Sequence, residues 1–147
     1  MRAQLLIVDD EVEIQQLLSR HLRYSGHDVM TASTGEAALE RLSETRTDVV
    51  VSDIQMPGMS GVDLLRRIRR DFPMTRVIMM TGHVTQANIL ACMRLGAETC
   101  IFKPIESLDE LDAAINQAVR TIRRWWEILA ELNVRKSDAS SNSNADA

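Results

Sequence analysis

The sequence predicts an α/β fold: a doubly wound, five-stranded parallel sheet of order 2-1-3-4-5, flanked by helices and followed by an extended C-terminal helix. Three observations predict it. Short apolar runs alternate repeatedly with helix-period patterns, which calls for parallel strands joined by right-handed crossovers. Polar residues stand at the carboxyl ends of four of the strand runs, where ligands bind in an open sheet of this class. The last helical pattern keeps its apolar spacing past the point at which the sheet runs out.

Leu5-Leu6-Ile7-Val8 is the first strand and runs into Asp9-Asp10. A helix follows, with Val12, Ile14, Leu17, Leu18, His21 and Leu22 on overlapping apolar rows and Gly26 as its stop. Asp28 to Ala32 is a second strand, and Thr34 caps a helix carrying Ala37, Ala38 and Leu42. Asp48 to Ser52 is apolar on consecutive positions, as expected of a strand buried on both faces. Pro57, Gly58 and Gly61 mark a loop, and Ser60 caps the helix of Val62, Leu64, Leu65 and Ile68. Arg76 to Met80 is the fourth strand, Val84 to Leu95 the fourth helix, and Thr99 to Phe102 the fifth strand. Ser107 opens the last helix, with Glu110 completing a capping-box pattern.

Composition narrows the function classes. The 17 Lys and Arg against 21 Asp and Glu leave a net charge of -4, which disfavours a whole-chain nucleic-acid or anionic-membrane binder. No apolar run approaches the roughly 18 residues of a membrane span, and the first one is too short for a signal-peptide core. Cys92 and Cys100, eight positions apart, match no common zinc or redox spacing and are expected to be reduced thiols of a cytoplasmic protein.

With strand order 2-1-3-4-5, Asp9, Asp10, Asp53, Thr81 and Lys103 converge at one sheet edge. Three carboxylates in one crevice repel, and a hard divalent cation relieves them; oxygen-only ligands favour Mg²⁺. Asp53 is then a nucleophile toward phosphorus, Lys103 a positive charge for phosphoryl oxygens, and Thr81 a hydroxyl donor.

Val8-Asp9-Asp10-Glu11, the run from Asp53 to Gly61, Met80-Thr81-Gly82 and Lys103-Pro104 together resemble the response-regulator receiver domain of two-component signalling, over roughly residues 3 to 121. The resemblance implies a flavodoxin-like receiver fold in which Asp53 takes a phosphoryl group from a sensor histidine kinase or a histidine phosphotransfer protein. It implies that Asp10 and Asp53 hold Mg²⁺ directly, Asp9 through water, and Gln55 through its carbonyl. It further implies that Thr81 senses the phosphoryl group and passes the change to the face of the fourth helix, fifth strand and fifth helix, and that the Lys103-Pro104 bond is cis. It also implies that Gln55 and His83 hold positions that tune phosphoryl lifetime. The switch position three residues before the lysine, aromatic in the family, is Cys100 here, and a thiol has no ring to rotate. Such a domain catalyses only its own phosphorylation and dephosphorylation. The alternatives are a constitutive interaction or dimerisation module with a vestigial site, and the receiver part of a larger regulator. A phosphatase of the haloacid-dehalogenase type would want an acid where Gln55 stands.

Simpler roles compete. Asp10 with Glu13 fits a helix cap, and His83 fits an exposed loop histidine. His21 and His27 are read as surface or helix-end residues, Cys92 as helix core, and Arg66, Arg67, Arg69 and Arg70 as a solvated helix face.

Beyond the receiver segment (1–121), Leu108, Leu111, Ile115, Ala118, Ile122, Trp125, Leu129 and Leu132 form a 3-4 heptad seam. Segment 122–136 is read as a helical extension: a homodimeric coiled coil through Ala118, Ile122, Trp125, Leu129 and Leu132, a signalling helix toward an output domain, or a helix folded back on the receiver. Segment 137–147 contains only Ser, Asn, Asp and Ala and is read as a disordered polar tail.

Overall fold

The computed structural model describes residues 2–145. The chain alternates β1 (Gln4–Val8), α1 (Val12–Tyr24), β2 (Asp28–Ala32), α2 (Gly35–Glu44), β3 (Val49–Asp53), α3 (Gly61–Asp71), β4 (Arg76–Thr81), α4 (Gln86–Arg94), β5 (Thr99–Phe102) and α5 (Asp109–Ala145). All strands pair in parallel in the order β2-β1-β3-β4-β5, as the sequence predicts.

Alternation along the strands builds two cores. Leu5, Ile7, Val49, Val51, Ile78 and Met80 meet Leu18 and Leu22 of α1 and Leu111, Ile115, Ala118 and Ile122 of α5. Leu6, Val8, Val50, Val77 and Met79 meet Ala38, Leu42, Leu64, Leu65, Ile68 and Cys92 of α2, α3 and α4. The central β3 is buried at every position, whereas the edge strand β5 buries fully only Ile101. Each large aliphatic side chain so buried contributes roughly 1.5–3 kcal/mol.

Helix starts follow local chemistry. The Thr34, Ser60 and Thr85 hydroxyls accept the N–H groups of Ala37, Asp63 and Asn88. Asp10 does not cap α1. Glu11 holds the N-cap position without a side-chain bond, and Asp9 Oδ1 accepts the Glu11 N–H at 2.9 Å. Ser107 Oγ accepts from Asp109 N–H rather than completing a box with Glu110.

On α1, Val12 and Leu17 are exposed and Gln15 is buried in their stead. Of the two histidines, His21 lies in the last turn of α1 as expected, and only His27 departs from the expectation. His27 is buried and its Nδ1 accepts the Ala3 N–H at 3.1 Å, while His21 Nε2 lies 2.9 Å from both Asp112 carboxylate oxygens and ties α1 to α5.

The fifth helix is one unbroken element, so it does not turn back over the receiver. Among the described side chains, the last buried one is that of Ile122. Beyond it Trp126 faces the Arg46 guanidinium, 4.8 Å from the ring centroid. Residues 137–145, expected as a disordered tail, continue the helix. The described side chains among them are exposed and bury nothing, and 146–147 lie outside the described residues.

Candidate functional site

The strand ends bring three carboxylates and one ammonium together. Asp9 follows β1, where its backbone N–H bonds to Ala32 O and its carbonyl accepts from the buried Gln15 amide, which also reaches Ser33 Oγ. Asp53 closes β3, and the next residue holds the chain by donating Ile54 N–H to Met80 O at 3.0 Å. The return of the chain into α3 is equally tight, with Gly61 N–H donating to Ile54 O at 2.8 Å. A Cβ at Gly61 would stand 2.0 Å from the Asp53 carbonyl oxygen, so the position has room only for glycine. Lys103 leaves β5 through a cis bond to Pro104 and is anchored by its N–H to Thr81 O at 2.7 Å.

Ligand oxygens of Asp9, Asp10 and Asp53 lie within 4.8 Å of one another. Asp9 and Asp53 are buried and Asp10 is exposed. Lys103 Nζ sits 2.7 Å from Asp9 Oδ2 and 3.3 Å from Asp53 Oδ2, with Glu11 Oε1 at 3.8 Å. Burial pushes the Asp53 carboxyl above its usual range; Lys103 opposes that rise, the neighbouring Asp9 charge adds to it, and the Gln55 backbone N–H also steadies the anion. Burial works against the Lys103 ammonium too. The bond to Asp9 and the charges of Asp53 and Asp9 outweigh it, so the amine stays charged above its ordinary range.

One ammonium does not neutralise three carboxylates. Like charges at such separations repel by roughly 4 kcal/mol at an effective dielectric near 20, so the surplus favours a divalent cation. The donor set is all oxygen and partly solvent-facing, which suits Mg²⁺.

Of the other sequence-predicted residues, Thr81 is fully buried and its hydroxyl donates to His83 O at 3.2 Å, within its own loop. The Gln55 and His83 side chains are exposed beyond it. Cys100 is half-buried beneath α4. Burial, with smaller contributions from Cys92 and Glu110, pushes its thiol up to about 11, so it is protonated at neutral pH.

Sequence reasoning misses Gln15, and it reads Gly61 only as a loop marker, not as the one residue that fits against the Asp53 carbonyl. Gln15 looks like an error in an apolar row, which is its only signal. Phe102, 63% exposed, stands two positions after Cys100 on the same side of β5.

The family model described as the response regulator receiver domain matches residues 5–116. The chain belongs to this family.

The receiver is 32% identical to the alkaline phosphatase synthesis transcriptional regulatory protein PhoP of Bacillus subtilis, over 94% of this chain and 55% of PhoP. It is 39% identical to the virulence sensor protein BvgS of Bordetella pertussis, over 78% of this chain and 10% of BvgS. It therefore spans about half, or less, of the length of these relatives. Among solved structures, a response regulator receiver domain protein of Clostridium thermocellum aligns with a TM-score of 0.79 at 35% identity, over 84% of this chain and 98% of that one. TrrA of Thermotoga maritima, solved in complex with Mg(2+)-BeF, aligns with a TM-score of 0.71 at 30% identity, over 79% of this chain and 98% of TrrA. Receiver domains are signalling domains of two-component systems, and the order 2-1-3-4-5 is that of their flavodoxin-like fold. Among the described residues no helix is long and apolar enough to cross a membrane.

Proposed function

We propose that this receiver is a phosphorylation switch in which Asp53 accepts a phosphoryl group from the phosphohistidine of a cytoplasmic sensor kinase or histidine phosphotransfer protein. The observation that carries the reading is the Asp53 carboxylate, buried at a strand end with Lys103 Nζ at 3.3 Å and two further aspartates within 4.8 Å. A carboxylate oxygen of Asp53 forms the new bond to phosphorus as the phosphorus–imidazole bond breaks, and the imidazole leaves with its electron pair. Phosphoryl transfer demands positioning and charge neutralisation more than covalent help. Lys103, already shared between Asp9 and Asp53, pairs with a phosphoryl oxygen. Thr81 turns its hydroxyl from the His83 carbonyl toward the same group, and that turn releases the loop leading into α4. Asp10, Asp53 and the Gln55 carbonyl would hold Mg²⁺ directly and Asp9 through water; when bound, the ion supplies charge neutralisation at the phosphoryl oxygens. Gln55 and His83, on the rim, set the access of hydrolytic water and so the lifetime of the phosphoryl group.

The change reaches the face of α4, β5 and α5. With Cys100 in the aromatic position, the switch rests on Thr81. Segment 1–121 is the switch, and segment 122–136 is a second interaction element that links it to a partner or to the rest of a longer regulator. The chain has no external turnover substrate and no role of its own on nucleic acid.

Incubation with acetyl phosphate and Mg²⁺ tests the reading. The expected product is an acid-stable, base-labile phosphate in the wild type and none in Asp53→Ala. A phosphate that survives in Asp53→Ala, or none in either protein, would overturn it and favour the constitutive module.

A further inference from the structure

We propose that Gln15 is a positioning residue of the crevice: its buried amide fixes the Asp9–Asp10 backbone and so holds Asp10 beside Asp9 and Asp53 for a divalent cation. The inference rests on reading those three aspartates as a Mg²⁺ site, but not on transfer of a phosphoryl group to Asp53.

The place of Gln15 in α1 is the starting point. The buried side chains of that helix are Gln15, Leu18, Ser19 and Leu22, a row at helical spacing. An aliphatic side chain at the first position would continue the row, whereas an amide there loses its hydration and must find partners. It finds them at the carboxyl ends of β1 and β2. Gln15 Nε2 donates to the Asp9 carbonyl oxygen and to Ser33 Oγ at 2.9 Å, and it lies 3.5 Å from Ala32 O. Carbonyl oxygens only accept, so the amide turns its NH₂ side toward them. The Gln15 backbone acts on the same loop, its N–H donating to Glu11 O at 3.1 Å as α1 begins. One residue thus closes the β1–α1 loop twice and ties it to the loop that follows β2.

The two acids of the β1–α1 loop depend on Gln15 to different degrees. Asp9 has side-chain partners of its own. Its Oδ1 accepts the Glu11 N–H at 2.9 Å, and its Oδ2 accepts from Lys103 Nζ at 2.7 Å. The exposed Asp10 carboxylate has no hydrogen bond or ion pair among the described residues. Its place within 4.8 Å of the Asp9 and Asp53 ligand oxygens is therefore set by the backbone that carries it. The Asp9 carbonyl and the Asp10 N–H belong to one rigid peptide plane. Holding the carbonyl oxygen holds that plane, and with it the Asp10 Cα. Repulsion from Asp9 and Asp53 drives the Asp10 carboxylate toward solvent, and the Gln15 bond keeps the loop from following it.

Outer partners of metal ligands act in this way without touching the ion, and losing one costs roughly 10–100-fold in affinity. Ion binding by the full chain, without any phosphodonor, is the test. Mg²⁺ is titrated calorimetrically into the wild type, Gln15→Met and Ser33→Ala. Met keeps the length of the side chain and removes the donor. Gln15→Met is expected to bind Mg²⁺ about tenfold more weakly, and Ser33→Ala, which leaves the bond to Asp9, close to the wild type. A merely structural role would lower the urea midpoint of the ion-free protein and leave the affinity of the folded molecules unchanged. Wild-type affinity in folded Gln15→Met, or an equal loss in Ser33→Ala, overturns the proposal. A wild type that binds no Mg²⁺ at millimolar concentration overturns it together with the metal reading. Normal ion binding without labelling of Asp53 would sink the switch alone. The wild type supplies a measurement that needs no variant to fold: by NMR, the Gln15 side-chain amide protons are expected to exchange slowly with solvent and to shift as Mg²⁺ is added. Fast exchange, or no shift, overturns the proposal.

Discussion

At the carboxyl ends of the strands, three aspartates and a lysine are gathered in a crevice that excludes most solvent from Asp9 and Asp53. At the opposite end of the same sheet, two tryptophans and two leucines stand on α5 with about half of their surface in water. The two ends carry opposite deficits. The crevice has more like charge than its one ammonium balances, and the extension has apolar surface that no described part of the chain covers fully. Each is stable only as far as the surrounding fold holds it. The difference between them is coupling. Crevice residues sit on strand ends fixed by backbone bonds, so changing them disturbs the whole domain, whereas the extension can be changed without touching the core.

The comparison breaks most visibly at Gly61. A side chain there meets the Asp53 carbonyl oxygen, so Gly61→Ala is expected to lower stability by about 3 kcal/mol in urea unfolding, the upper range for forced overpacking. A cost below about 1 kcal/mol would mean that the β3–α3 loop yields easily. Next comes Lys103→Met, which leaves the Asp9 carboxylate buried beside Asp53 without its cation. A loss of about 2 kcal/mol is expected without divalent ions, partly restored by millimolar Mg²⁺. Full stability without the ion would show that the carboxylates do not strain the fold.

Asp53→Asn runs the other way. The folded-state pKa of Asp53 lies above its ordinary value of 3.8, so its ionisation opposes folding. That penalty is absent below the ordinary value and complete once the pH has passed the raised one. The variant is therefore expected to unfold at higher urea than the wild type at pH 7, with the gain fading as the pH falls toward 3.8. A gain that persisted in acid would point to packing rather than charge. The smallest effect belongs to the extension. Leu129→Glu is expected to shift the stability of the receiver by less than about 0.5 kcal/mol in dilute solution, as for an exposed position.

The same division governs how much was legible in the sequence. Strands such as Val49-Val50-Val51 announce themselves, because consecutive apolar β-branched residues suit only a strand covered on both faces. The crevice was legible because strand order alone carries Asp9, Asp53, Thr81 and Lys103 to one edge. What was not legible depends on contacts distant in sequence. Leu17 and Leu18 are equally apolar, and only packing decides that Leu18 is buried while Gln15 is held inside by bonds to Asp9 and Ser33. His27 is buried because the Ala3 N–H, far away in sequence, needs an acceptor. The composition of residues 137–145 carries no apolar periodicity, so nothing in it signalled that α5 continues through them.

The central claim, that Asp53 is the phosphoacceptor of the crevice, is tested most directly by trapping. After incubation with acetyl phosphate and Mg²⁺, borohydride converts an aspartyl phosphate to homoserine, and peptide mass spectrometry then locates it. Homoserine at position 53, dependent on Mg²⁺ and absent without the donor, is the predicted result. Conversion at Asp9 or Asp10 instead, or none at any of the three, would contradict the account.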